Sequence, residues 1–174
     1  KGPHHAIEIA KRSGWTLKMA GKVDASDRAY FEAEIAPQID NRQIQYHGEL
    51  CHRDKVRLLG YATATLFPIT WEEPFGLVSI ESMCAGTPVI AFNRGAVPEI
   101  VAHGATGFIC QTVDEAVDAV SLVEDLDREN CRDFVERHFS VSSMVEKYEA
   151  AYQKVLNEFW SRNGRSVGEP TLAA

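Results

Sequence analysis

Residues 70–90 constrain the fold of this chain more than any other stretch of the sequence. An apolar run over residues 77–85 ends at Gly86-Thr87-Pro88, and a second apolar run follows immediately. This order predicts a loop that ends at Gly76, then a short helix, and then a buried strand. A loop that leads into a helix N-terminus in this way is also where α/β proteins bind their ligands.

A single carboxylate, that of Glu81, stands in the middle of this predicted helix, which is apolar nearly all round. An unpaired charge in such surroundings costs on the order of several kcal/mol, so the carboxylate requires a partner. The partner is either a ligand that donates hydrogen bonds to Glu81 or a basic side chain in a structural ion pair.

Helical and strand patterns alternate along most of the chain, which predicts an α/β fold: a Rossmann-like, doubly wound parallel sheet covered on both faces. The predicted strands span residues 15–20, 44–47, 64–67, 88–92 and 107–110. The pattern predicts a long C-terminal helix over residues 140–160, with Ser140 as its N-cap. We expect its apolar stripe to pack on the core, except at the end of the stripe, Phe159-Trp160, which we expect to be left exposed. We expect one domain over residues 1–160 and a disordered tail over residues 161–174.

The chain opens at a helix start, Lys1-Gly2-Pro3, with no strand before it. Pro suits the first turn of a helix, whereas a doubly wound unit begins with a strand. We therefore expect that a first strand is missing upstream and that the sequence is a piece of a larger protein.

Composition excludes several classes of function. A formal charge of −7 over 174 residues argues against nucleic-acid binding, although local basic residues could still hold a phosphate. The four cysteines are far apart in sequence, which favours reduced thiols. No apolar run reaches the length of about 18 residues that a membrane helix needs, and no signal peptide is evident. The expectation is a soluble cytoplasmic domain, and no spacing of His or Cys suggests a metal site.

The segment around the short helix combines a helix N-terminus with one carboxylate before it and one within the helix. A helix N-terminus at Gly76 and Leu77 offers unpaired N–H groups and partial positive charge to an anion. Glu81 lies about 7 Å further along the helix axis, which is roughly the offset from a diphosphate to the ribose of the same nucleotide. Glu73 precedes the helix, where a sugar attached to the diphosphate would lie. Its neighbour Glu72 is then a solvated loop acid.

These residues resemble a known family, the retaining glycosyltransferases of group 1, also called family 4. The resemblance covers residues 1–159. It is carried by two glutamates with seven residues between them, Glu73-x7-Glu81, and by further short motifs in the same order as in the family. Along the chain these motifs are Lys1-Gly2, Gly48-Glu49-Leu50, Phe67-Pro68, Pro74-Phe75-Gly76-Leu77, Ala85-Gly86-Thr87-Pro88, Gly95-Ala96-Val97-Pro98-Glu99, Gly104-Ala105-Thr106-Gly107-Phe108 and Phe139-Ser140.

The resemblance implies that the chain is the C-terminal, donor-binding half of a two-domain GT-B enzyme. It implies catalytic roles for Glu73, which contacts the donor sugar, and for Lys1, which binds the diphosphate. It assigns Glu81 to the ribose. The backbone of Phe75, Gly76 and Leu77 is placed near sugar and phosphate, and Leu50, after Gly48, beside the base. It also implies that the substrate is a nucleoside diphosphate sugar and that neither a metal nor a cofactor is required.

Two departures from the family pattern limit this implication. The arginine expected a few residues before Lys1-Gly2 and the N-terminal acceptor domain lie outside the sequence. We therefore expect the acceptor domain to be a partner, and any peripheral membrane contact to occur only through it. The isolated chain should transfer little sugar. Lys1 could alternatively be only a frayed terminus.

Three other functions remain open at this point: a nucleotide-sugar-binding module without transferase activity, a GT-B sugar-nucleotide epimerase and a GT-B phosphorylase. Both glutamates and Gly76 are intact, which disfavours a binding module that has lost catalysis. A phosphorylase would need a lysine for pyridoxal phosphate, and no such environment is evident. A Rossmann dehydrogenase would need G-x-G-x-x-G after a strand, which the sequence lacks.

Overall fold

The computed structural model describes residues 1–162, which divide into two compact units at residue 135. The strands are β1 Leu17–Met19, β2 Ile44–Tyr46, β3 Thr65–Phe67, β4 Val89–Phe92 and β5 Gly107–Cys110. The helices are α1 Pro3–Ser13, α2 Arg28–Tyr30, α3 His52–Tyr61, α4 Leu77–Cys84, α5 Val97–Ile100, α6 Val113–Leu122, α7 Arg128–Phe139 and α8 Val141–Arg162. Short 3-10 turns (Ala25–Asp27, Ala36–Gln38, Val123–Asp125) and a π-helical stretch (Phe31–Ile35) complete them.

All strand pairs in the first unit are parallel, which confirms the α/β fold class predicted from the alternating pattern. The strands form two sheets, however, where the sequence predicted one. β1 pairs with β2 in the first sheet, and the second has the order β3-β4-β5. Helix α1 contributes to a core cluster with each sheet, because Ile7 packs with Ile44 of β2 while Ile9 packs with Ile90 of β4.

A cavity of about 1140 Å³ lies between β1 and β3, the edge strands of the two sheets. The Leu17 N–H donates to the Gln43 carbonyl at 2.7 Å, and the Met19 carbonyl accepts from the His47 N–H at 2.9 Å. The backbone groups of Lys18, which lies between Leu17 and Met19, therefore point away from β2. The Thr65 N–H donates to the Pro88 carbonyl at 2.9 Å, so the backbone groups of Leu66, the next residue, point away from β4. Lys18 and Leu66 both line the cavity, which therefore has a strand edge on each side.

The second unit, residues 136–162 of the described chain, consists of the end of α7 and the long helix α8. The predicted N-cap is confirmed, since Ser140 Oγ accepts a hydrogen bond from the Ser143 N–H at 3.2 Å. The expected core packing of the stripe is wrong, because its side chains are exposed: Val141, Met144, Val145, Tyr148, Tyr152, Val155 and Leu156. Phe159, at the end of the stripe, is exposed as expected. The helix runs to Arg162, and residues 163–174 of the predicted tail lie outside the described residues.

No helix within residues 1–162 is both long and apolar enough to cross a membrane.

Candidate functional site

The loop between β3 and α4 lies at the carboxyl end of the second sheet and leads into the N-terminus of α4. Gly76 is the residue before the helix, with φ 84° and ψ 56°. A Cβ at this position would lie 3.2 Å from the Phe67 ring, and side chains rarely adopt this left-handed backbone. Glycine therefore lets the chain turn tightly into α4, whose first N–H groups lack partners within the helix.

Glu73, in this loop, is a buried carboxylate that the structure pairs with Lys1. Lys1 Nζ donates a hydrogen bond to Glu73 Oε2 at 2.7 Å, and the Glu73 side chain is 11% exposed. The same ammonium lies 5.3 Å from the Trp71 ring centroid and 5.7 Å from that of Phe67, within the range of cation–π attraction. Lys1 is therefore anchored by one charge and two aromatic faces, which disfavours the alternative that it is a frayed terminus. By contrast, the Glu72 side chain is 74% exposed.

The backbone of Glu73 is held by the loop that follows β4. The Ala96 N–H donates to the Glu73 carbonyl at 2.9 Å, and the Gly95 N–H donates to Glu72 Oε2 at 2.6 Å. Gly95 has φ 52°, and a Cβ there would lie only 2.2 Å from the Glu73 carbonyl oxygen and 2.5 Å from its nitrogen. This close approach requires glycine, and it fixes the direction in which Glu73 leaves the loop. The family pattern had included Gly95 and Ala96 without a role for either.

Glu81, one turn into α4, is paired with a lysine that the sequence analysis did not single out. Lys55 of α3 donates to Glu81 Oε1 at 2.6 Å, and both side chains are 38% exposed. The required partner of Glu81 is thus present, but the pair is half exposed and leaves the second oxygen, Oε2, without a hydrogen bond among residues 1–162. No signal in the sequence marks Lys55 as this partner, because it is 26 positions away on another helix.

The remaining predicted residues lie in the segment before α3 and at the start of α4. Gly48 has φ 67° and accepts a hydrogen bond from the Gly21 N–H at 2.8 Å. Leu50 lies two residues before α3 and lines the inter-sheet cavity together with Lys1 and Lys55. Phe75 and Leu77 flank Gly76 and are 44% and 66% exposed, so the surface at the start of α4 is accessible. The structure thus pairs Lys1 with Glu73 and Glu81 with Lys55, at two points along one loop–helix segment.

Comparison with known proteins places this arrangement in a family. Residues 1–140 match the family model described as glycosyl transferases group 1. Among curated relatives, glycogen synthase of Mycobacterium tuberculosis is 30% identical over 180 residues, covering 100% of this chain and 40% of the relative. N-acetyl-alpha-D-glucosaminyl L-malate synthase of Bacillus anthracis is 33% identical over 121 residues, covering 65% of this chain and 31% of the relative. The chain therefore spans well under half the length of these relatives.

Solved structures agree on the fold. AviGT4, a glycosyltransferase involved in avilamycin A biosynthesis, has a TM-score of 0.73 at 25% identity, covering 90% of this chain and 48% of that one. Anabaena Alr3699/HepE, solved in complex with UDP-glucose, has a TM-score of 0.73 at 22% identity, covering 88% of this chain and 45% of that one.

Proposed function

This chain belongs to the group 1 glycosyltransferases, and we propose that it forms the part of such an enzyme that binds the nucleoside diphosphate sugar donor. The observation that carries the proposal is the order of charged groups along one segment. The Lys1–Glu73 pair lies before the N-terminus of α4, and Glu81 follows one turn into the same helix. This order matches sugar, diphosphate and ribose in the donor.

In this proposal the diphosphate binds at the exposed start of α4. The N–H groups of Gly76 and Leu77 and the helix dipole attract the anion, and the Lys1 ammonium adds a positive charge. When the bond between sugar and phosphate breaks, negative charge grows on the diphosphate. Groups fixed by the Gly76 turn and by the Glu73 pair would stabilise that charge more in the transition state than before it, which is what accelerates the reaction.

Glu73 is then the carboxylate that contacts the donor sugar, Glu81 accepts hydrogen bonds from the ribose, Phe75 lies beside the sugar, and Leu50 borders the base. Retention of configuration and independence of metal ions are further parts of the proposal. The location we propose is cytoplasmic, because all four cysteines are unpaired thiols, the state that a reducing compartment maintains.

A domain that supplies the acceptor completes the enzyme in this proposal, and transfer by residues 1–174 alone should be slow or absent. The chain covers only 40% of its glycogen synthase relative, which leaves room for such a domain. We also propose that a further parallel strand of the same protein, joined to Lys1, fills the cavity between β1 and β3. A strand there would pair with the backbone groups of Lys18 on one side and Leu66 on the other, and would join the two sheets into one.

Hydrogen exchange tests the added strand. The N–H groups of Lys18 and Leu66 should exchange quickly in residues 1–174 and slowly in a longer protein that includes the strand, because they gain hydrogen bonds. The N–H groups of Leu17 and Thr65 already have partners within the two sheets and should be protected in both. Equal protection of Lys18 and Leu66 in the two proteins would refute the proposed strand.

Calorimetric titration tests the donor site. We expect one of UDP, GDP or ADP to bind in the presence of a chelator, with UDP as the first probe because a structural neighbour was solved with UDP-glucose. Glu81→Ala should weaken the nucleotide about 10- to 150-fold, the range expected for the loss of hydrogen bonds to a charged group. Glu73→Ala should weaken only the sugar-bearing form. Glu124→Ala, which replaces an exposed acid in the turn after α6, should change neither affinity.

The outcomes separate the alternatives. Nucleotide binding that does not depend on Glu81 would contradict the site. Absence of binding to a folded chain, repeated with a longer protein, would contradict the donor-binding function itself. A longer protein that binds the donor but transfers no sugar to any acceptor would favour a binding module, and interconversion of the bound sugar into its epimer would favour an epimerase.

A further inference from the structure

The contact between Lys55 and Glu81 joins two helices at the point where the proposed donor site would hold a ribose. Lys55 lies in the first turn of α3, directly after the Gly48–Leu50 segment, and its ammonium reaches Glu81 Oε1 in the middle of α4. Both side chains keep more than a third of their surface exposed, so a ligand can reach the pair from solvent.

A purely structural role explains this pair poorly. Exposed and half-exposed ion pairs contribute little to stability, because water screens the charges and two long side chains must be ordered. Packing of α3 against α4 is supplied instead by buried groups: Thr87 Oγ1 donates to the Leu59 carbonyl at 2.7 Å, and Ser82 Oγ donates to the Thr87 carbonyl at 2.9 Å. The two helices are therefore connected without the Lys55–Glu81 contact.

The pair presents a hydrogen-bond donor and an acceptor side by side. A lysine ammonium has three N–H donors, of which one is used on Glu81 Oε1. A carboxylate accepts at both oxygens, and Oε2 receives no hydrogen bond from the part of the chain that is described. The two adjacent hydroxyls of a ribose can each donate and accept, so one can donate to Glu81 Oε2 while accepting from Lys55 Nζ.

We propose that Lys55 and Glu81 act together as a recognition pair for the ribose diol, with Lys55 as a residue that determines specificity for ribonucleotides. This inference rests on the proposed donor site.

The test is a double-mutant cycle with two ligands. The first is whichever of UDP, GDP and ADP binds the unaltered chain, and the second is its 2′,3′-dideoxy form. Lys55→Met keeps the length and apolar stem of the side chain, Glu81→Gln keeps the shape of the carboxylate, and the double variant joins them. Lys11→Met serves as a matched control, because Lys11 forms an exposed hydrogen bond to Gln38 and, unlike Lys55, does not line the cavity between the sheets.

We expect Lys55→Met and Glu81→Gln each to weaken the ribonucleotide about 10- to 100-fold, as for a lost hydrogen bond to a charged group. The double variant should lose much less than the product of the two effects, since the residues act as a unit. With the dideoxy ligand, Lys55→Met and Glu81→Gln should each change the affinity less than about threefold, apart from the effect of the altered net charge of the protein on an anionic ligand. Lys11→Met should bind both ligands as the unaltered chain does.

The outcomes distinguish this inference from the function on which it rests. If Glu81→Gln weakens the ribonucleotide and Lys55→Met does not, the inference is wrong and the donor site stands. If Lys55→Met weakens both ligands equally, Lys55 is a contact for the diphosphate, and the inference is again wrong. If neither Glu81→Gln nor Lys55→Met has an effect, the donor site itself is contradicted. Should Lys55→Met unfold, Lys55→Arg, which keeps the charge and its donors, should restore folding and discrimination against the dideoxy ligand.

Discussion

Substitution of Gly95 by alanine should displace Glu73 without removing any functional side chain. The new Cβ would lie 2.2 Å from the Glu73 carbonyl oxygen, whereas ordinary contacts of a Cβ begin at 3.4 Å. The Glu73 backbone must therefore move by about 1 Å, and the hydrogen bond from the Ala96 N–H must lengthen. A displacement of 1 Å at a reacting group can cost about 100-fold in rate.

The control for this prediction is Gly104→Ala. Gly104 also has a positive φ, 76°, but a Cβ there would meet no atom within 4 Å. In both variants the left-handed backbone alone should cost about 1–2 kcal/mol of unfolding free energy, because alanine resists this conformation. The Gly95 variant should lose more than this, because of the clash.

The assay compares affinities for a nucleotide sugar and for the nucleotide alone, together with the transfer rate of a longer protein that includes the acceptor domain. Gly95→Ala should lower the rate about 100-fold and reduce the preference for the sugar-bearing form, while Gly104→Ala changes neither. Suppose Gly95→Ala transfers sugar within threefold of the unaltered protein while its stability falls as in Gly104→Ala. Then the contact of Gly95 and Ala96 with the Glu73 backbone does not position Glu73, and this reasoning is refuted.

Three further predictions concern stability and thiols. Met83→Ala, at a fully buried site on α4, should lower the free energy of unfolding in urea by about 2–5 kcal/mol. Cys84→Ala, at the next position, which is exposed, should lower it far less, and equal losses would contradict the burial of Met83. A disulfide reagent at pH 8 should modify Cys51 and Cys84 quickly, and Cys110 and Cys131 only as fast as the protein opens; four equal rates would contradict it. Burial raises the pKa of Cys110 to about 11 from its ordinary 9.0. As the pH rises, the unfolded chain therefore loses this proton first, so the stability due to the protonated thiol is complete below pH 9 and falls between pH 9 and 11. The thermal midpoint should fall less steeply with pH in Cys110→Ala than in the unaltered chain, and an equally steep fall in the two proteins would contradict this.

The strands of the second sheet could be predicted because their apolar runs are bounded by glycine and proline. β3, β4 and β5 lie within one residue of the predicted ranges, and α4 begins after Gly76 as expected. The division of the strands into two sheets could not be predicted, because the strand patterns do not specify which strands pair.

The partners of the two glutamates show a second limit. The cost of an unpaired charge predicts that Glu81 has a partner, but Lys55 is 26 positions away on another helix and becomes a neighbour only when α3 packs on α4. The loop after β4 holds the Glu73 backbone through backbone atoms of Gly95 and Ala96, which leave no side-chain signal in the sequence.

Helix α8 shows a third limit. Its periodicity correctly predicts a helix with one apolar stripe and an N-cap at Ser140. Periodicity describes a helix alone, however, and it does not say what covers the stripe, which is exposed here.

The most direct test of the account is a crystal structure of the chain, or of a longer protein that contains it, with its nucleoside diphosphate and then with the corresponding nucleotide sugar. The account predicts that the diphosphate lies at the N–H groups of Gly76 and Leu77, the ribose hydroxyls at Glu81 and Lys55, and the sugar at Glu73. A nucleotide bound elsewhere, or bound at α4 in the reverse direction with its ribose toward Glu73, would contradict it.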